Sequence, residues 1–199
     1  MKAVLISIQP KWCRLILSGK KTVEIRRSCP QLEAPFKVYI YCTLSGSNEL
    51  FREDLCGDIA AWNRECWTDR KGNVIAEFTC SQIIAYDFAE MFEPPDWEVS
   101  LGDQYYIPSG DLENSCLSYE ELLKYGQEQK LFGWHISDLK VYDKPKVLSV
   151  FFKECVGLDN TGLCYECENA VGEECDCALN GQLHLARPPQ SWCYVEELP

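Results

Sequence analysis

Gly19-Lys20-Lys21-Thr22-Val23-Glu24-Ile25-Arg26 is the stretch on which the reading of this chain turns. Glycine at its head can adopt the left-handed conformation that ends a helix. The run that follows alternates. Val23 and Ile25 share one face of an extended segment, and Glu24 and Arg26 share the other. Upstream, residues 2–8 are rich in Val, Leu and Ile, a buried strand by composition. Pro10 suits the first turn of a helix, and Trp12, Leu15 and Ile16 recur at helical spacing up to Gly19. The stretch is thus a helix-to-strand turn, with Lys21 in the turn and a cation, an anion and a cation presented in order.

Working outward, a strand is expected over 36–42. Residues 44–72 form a polar excursion with no confident element, and a strand follows over 73–84. Residues 86–115 read as a short helix and loop containing Pro94 and Pro95. Ser118 followed three residues later by Glu121 is a capping-box signal for a helix. Residues 132–142 read as a strand closed by Asp143-Lys144-Pro145, and residues 191–197 as a closing strand. Strands dominate, helices are short and their order is mixed. An α+β barrel-like fold is therefore expected rather than a doubly wound sheet. At 199 residues the chain suits a single domain over 1–199.

The formal charge is −12, but it is unevenly placed. Residues 1–27 hold seven cations and one anion, a surplus of six, so the other residues carry −18. Such a surface repels duplex DNA and anionic membranes, while a local basic site at the N-terminal end remains open to a small anionic ligand. The opening residues lack the long apolar run of a secretory signal, and no stretch approaches the length of a membrane span. A cytoplasmic protein is expected. The 13 cysteines are odd in number and are read mostly as reduced thiols.

The pattern G-x-K-x-x-E-x-R at a helix-to-strand turn after an N-terminal strand resembles the ASCH domain family of the PUA-like superfamily. Residues 7–27, Gly72–Phe78, Gly133–Pro145 and Arg187–Glu197 support the likeness, which is to a bacterial or phage type. The resemblance implies a partly open PUA-like/ASCH β-barrel with short helices and a cleft lined by the motif. It links the chain to RNA or modified nucleosides. One bacterial branch hydrolyses the amide of N4-acetylcytidine with a motif lysine, a threonine three positions on and a strand glutamate. The lysine matches Lys21 and the glutamate matches Glu77. Glu24 stands where that branch has threonine, a carboxylate in place of a hydroxyl.

Three readings follow. In the first, Lys20, Lys21, Arg26, Glu24 and Glu77 form a cationic cleft that recognises RNA, a nucleotide or a modified nucleoside. Arginine and lysine would grip phosphate or a carbonyl, carboxylates would accept from an exocyclic amine, and Tyr41 and Trp134 would offer stacking surfaces. In the second, Lys21, Glu24 and Glu77 hydrolyse an N4-acylcytidine amide. A lysine base with a lowered pKa would work with Glu77 as a partly desolvated general acid, and Glu77 would meet Lys21 or Arg26. In the third, the acidic face engages another protein. His135 on an aromatic strand reads as structural.

Residues 154–177 change character, with seven acidic residues, five cysteines and no Lys or Arg. Cys164, Cys167, Cys175 and Cys177 space out as C-x2-C-x7-C-x-C, a set able to hold a structural zinc within a cysteine-rich insertion over 154–185. Cys155, His184 and Cys193 are substitute ligands. Four thiolates would leave the metal no open position for catalysis.

Overall fold

The apolar N-terminal run forms β1 (Lys2–Ile8), whose side chains are buried on both faces from Ala3 onward. The pairing explains this. In the computed structural model, which describes residues 1–44, 70–89, 104–105, 107–153 and 184–199, β1 lies between two strands. It runs parallel to β3 (Phe36–Cys42), with Val4 opposite Val38, and antiparallel to β8 (Trp192–Glu196), with Leu5 opposite Cys193. A parallel pair needs a long crossover. Residues 9–35 supply it through α1 (Pro10–Leu17) and β2 (Val23–Arg26). Further along are β4 (Val74–Tyr86), the short pair β5 (Phe88–Ala89) and β6 (Gln104–Tyr105), α2 (Ser109–Ser115), α3 (Tyr119–Gly126) and β7 (Leu131–Lys146).

Six strands make one mixed sheet in the order β2-β7-β4-β3-β1-β8. Parallel and antiparallel neighbours coexist, and the helices are few and short among the described residues. This is the expected α+β architecture. Among the described residues the sheet ends at β2 and β8 and does not close into a barrel.

The backbone divides into two compact units. The first comprises Met1–Lys11, Lys37–Glu77 and Lys140–Pro199; the second comprises Trp12–Phe36 and Phe78–Leu139. The first unit is built on Ala3, Leu5, Tyr39, Tyr41, Val74, Tyr142, Phe151, Leu185 and Val195. Its aromatic centre is an edge-on contact of Tyr39 with Phe151, ring centroids 4.9 Å apart. The Tyr39 hydroxyl accepts from the Leu198 amide at 2.8 Å and so ties down the C-terminal segment.

In the second unit β2 pairs antiparallel with β7: Val23 lies opposite His135, Glu24 opposite Trp134, Ile25 opposite Gly133 and Arg26 opposite Phe132. Val23 and Ile25 pack with Tyr86, Leu122 and Leu131. Close approach requires the glycine at 133, because a Cβ there would lie 1.8 Å from the Tyr86 hydroxyl oxygen. That hydroxyl donates to Asp111 Oδ2 at 2.6 Å. The capping box of α3 is complete: Glu121 N–H donates to Ser118 Oγ at 3.1 Å, and Ser118 N–H donates to Glu121 Oε2 at 2.9 Å. β7 overruns its expected end and passes through Pro145 to Lys146. The fixed φ of proline suits extended backbone wherever no N–H is required of it.

Candidate functional site

Gly19 ends α1 with φ +73°, and the turn closes with the Gly19 N–H on Ile16 O (2.9 Å) and the Lys21 N–H on Leu15 O (3.0 Å). The next amide, Thr22 N–H, donates to Asn114 O at 3.0 Å in the last turn of α2. The turn is therefore seated on the C-terminal end of α2, where carbonyls lack helical partners. The Lys21 ammonium uses one of them, donating to Ser115 O at 2.6 Å. It also lies 3.3 Å from Glu24 Oε2 and 5.1 Å from the centre of the Trp12 ring. A cation at a helix C-terminus and over an indole face is favoured on both counts.

Glu24 is shared. Its Oε1 lies 3.1 Å from Arg26 Nη2. Lys21, Glu24 and Arg26 are 2%, 6% and 8% exposed. Among the described residues two cations thus sit against one carboxylate in a largely dry setting. Arg27, the next residue, is exposed; its Nε donates to Tyr125 O at 2.9 Å and its guanidinium stacks 5.1 Å from the Tyr125 ring centre. Tyr125 on α3 is 37% exposed. Burial raises its hydroxyl pKa, and Arg26 pulls it back down, which puts Tyr125 within electrostatic reach of the cluster.

The structure thus brings Lys21, Glu24 and Arg26 together, with Lys20 exposed beside them and its carbonyl accepting from the Cys116 thiol at 3.3 Å. Glu77 belongs to a different cluster, in the first unit. Its carboxylate accepts from the Tyr142 hydroxyl at 2.5 Å and lies 3.4 Å from Lys140 Nζ and 3.8 Å from Lys37 Nζ. Burial alone would raise the Glu77 pKa. The Tyr142 hydrogen bond and the two lysines outweigh it and hold the carboxyl below the usual glutamate value. The expected general acid is therefore an ionised carboxylate, and its described ion-pair partners are Lys37 and Lys140 rather than Lys21 or Arg26.

The two expected stacking platforms are interior. Tyr41 is a core residue of the first unit, and Trp134 is wholly buried with its ring edge-on to Phe36 at 6.1 Å. Aromatic surface near the cluster comes instead from Trp12 and Tyr125. Trp12 was within reach of sequence reasoning, nine residues before Lys21 on the preceding helix. Tyr125 and Ser115 arrive through tertiary packing, and no local spacing announces them.

Cys164, Cys167, Cys175 and Cys177, with Cys155, lie outside the described residues. Of the substitute ligands, His184 engages Ser149 O through Nδ1 and packs its ring on Phe152 at 4.1 Å, and burial raises the pKa of the half-buried Cys193 thiol. Among the described residues no group of three or more potential metal ligands comes together. His135, half-buried in the second unit, has its Nε2 3.3 Å from Asp111 Oδ2. No helix among the described residues is long and apolar enough to cross a membrane.

No family model and no curated protein matches the sequence. Solved structures do. An ASCH protein from Zymomonas mobilis aligns over 98% of this chain and 88% of its own, at 17% identity and a TM-score of 0.50. The fold is ASCH-like. Two point variants of the Zymomonas mobilis ASCH protein also align, one over 98% of this chain and 89% of its own (17% identity, TM-score 0.48), the other over 74% and 77% (18% identity, TM-score 0.44). In this ASCH-like chain the G-x-K-x-x-E-x-R stretch is the turn and strand that carry the buried ion cluster.

Proposed function

We propose that this chain recognises single-stranded RNA or a modified nucleoside through the cluster of Lys21, Glu24 and Arg26. One observation carries the reading. A lysine and an arginine, both more than nine-tenths buried, share the Glu24 carboxylate within six residues. Burying ions seldom stabilises a fold relative to apolar packing, so such a cluster is better explained by a ligand than by stability. A lysine and an arginine placed together suit phosphate. Trp12 and Tyr125 add the aromatic surface that unstacked bases use, and Arg27 presents a planar cation already stacked on Tyr125. The acidic balance of the rest of the chain favours a short strand or a nucleoside over a duplex.

Hydrolysis of N4-acetylcytidine has less support, because Glu77 is held ionised by Tyr142 and two lysines and is poorly suited to donate a proton.

The test is a titration of a short fluorescent single-stranded RNA at two salt concentrations. Affinity is expected to fall as salt rises. It should weaken by about tenfold or more in Arg26→Ala, the scale of a hydrogen bond to a charged group. Tyr125→Leu, at a part-exposed position, should weaken it about fivefold or more. Binding indifferent to salt and to both substitutions refutes the reading. Release of cytidine from N4-acetylcytidine, lost in Lys21→Ala, would replace it with the hydrolase.

A further inference from the structure

A second feature of the same unit lies outside the ion cluster. A concavity of about 410 Å³ is lined by Cys29, Pro30 and Leu32 from the segment after β2, by Gln82 and Ile83 from β4, and by Phe132 from β7. The volume falls in the range of about 300–1,000 Å³ typical of small-ligand sites. None of its lining side chains is acidic, in a chain whose net charge is −12.

We infer that this concavity receives one unstacked nucleobase, whose phosphate or ribose is directed toward Arg26. The inference rests on the RNA reading and deepens it. Phe132 is half-buried, so part of its ring is available to the concavity. It stands directly opposite Arg26 in the β2–β7 ladder. Residues so paired project from one face of the sheet with their Cβ atoms about 4.5–5.5 Å apart. An aromatic lining residue and a cation thus occupy neighbouring ladder positions, and aromatic and cationic side chains are the combination that binds a base and its backbone together. The exposed Gln82 amide offers both a donor and an acceptor, as a base edge requires. Pro30, Leu32 and Ile83 supply an apolar lining against which a flat ring is desolvated. The chemistry is that of a neutral, planar, hydrogen-bonding ring with an anionic or hydroxylated tail.

Cys29 provides the readout, being a free, half-buried thiol on the wall. Iodoacetamide alkylation of Cys29 in the full chain, followed by peptide mass spectrometry, is compared with and without cytidine, N4-acetylcytidine and the short RNA. A second arm introduces Ala85→Trp, at an exposed lining position, to fill the space without touching the core. Urea midpoints confirm that the variant folds. Saturating nucleoside or RNA is expected to slow Cys29 alkylation about tenfold. Ala85→Trp should abolish that protection and weaken RNA binding by a factor on the order of ten. RNA binding that responds to Arg26→Ala but leaves Cys29 unprotected and ignores Ala85→Trp overturns this inference and leaves the RNA reading standing. Protection of Cys29 by nucleoside, unaffected by Arg26→Ala, keeps the base site and overturns the role of the ion cluster. Absence of both effects removes both proposals.

Discussion

Replacing Glu24 by alanine removes the carboxylate shared by Lys21 and Arg26, at 3.3 and 3.1 Å. With an effective dielectric constant of about 20, each contact is worth roughly 5 kcal/mol of gross attraction. Desolvation of three nearly buried groups consumes much of this. What the substitution leaves behind matters more: two buried cations that have lost the carboxylate they share. Breaking a buried pair in this way costs about 3–5 kcal/mol. For a chain of this size that corresponds to a fall in Tm of roughly 6–20 °C. The assay is urea unfolding with the slope checked for constancy, so that a lower midpoint reports stability rather than a changed transition. A double-mutant cycle with Lys21→Met isolates the coupling, and the double variant should recover part of the loss. A loss below about 1 kcal/mol, the scale of a solvated ion pair, would show that the cluster is surface chemistry and would undercut the argument that it is kept for a ligand.

Three further predictions follow from separate parts of the molecule. Glu77 has a folded pKa lowered below the ordinary value of 4.5, so its contribution is present above pH 4.5 and is lost as pH falls through the folded value. Glu77→Gln should therefore lower the urea midpoint at pH 6 and converge on the parent protein as the pH falls through the folded value; parallel curves at every pH would contradict this. Gly133→Ala places a Cβ against the Tyr86 hydroxyl and should cost about 1–3 kcal/mol by calorimetry, with overpacking as the cause. A silent substitution would mean that the β7–Tyr86 approach is looser than described. Protein purified without added metal is expected to carry about one equivalent of zinc, from the spacing of Cys164, Cys167, Cys175 and Cys177. Elemental analysis showing less than about a tenth of an equivalent discards that site.

Much of the fold was legible because its signals are local. The apolar run at 2–8, the stop at Gly19, the alternation of β2 and the Ser118–Glu121 box each act within a few residues, and each appears where it was read. The association of Lys21, Glu24 and Arg26 was legible for the same reason. Spacings of three and two bring them onto one stretch of turn and strand. Features that depend on distant chain were not legible. Ser115 reaches Lys21 across 94 positions, and Tyr125 joins Arg27 across 98. Glu77 looked available as an acid because a carboxylate on a strand face can be partly desolvated. Lys37 and Lys140, neither near it in sequence, decide its ionisation. Trp134 could not be told from a platform by composition, since an aromatic strand reads alike whether its ring meets a base or Phe36.

The ladder between β2 and β7 has a consequence for insertions and deletions. Neighbouring residues on β2 face opposite ways, so a slip of one position would carry Glu24 and Arg26 into the space of Val23 and Ile25, against Leu122 and Leu131. Polar heads would then meet hydrocarbon while aliphatic chains faced the partners of the ions. Loss or gain of a single codon between Gly19 and Val23 therefore inverts the whole segment, whereas paired changes of two preserve its orientation.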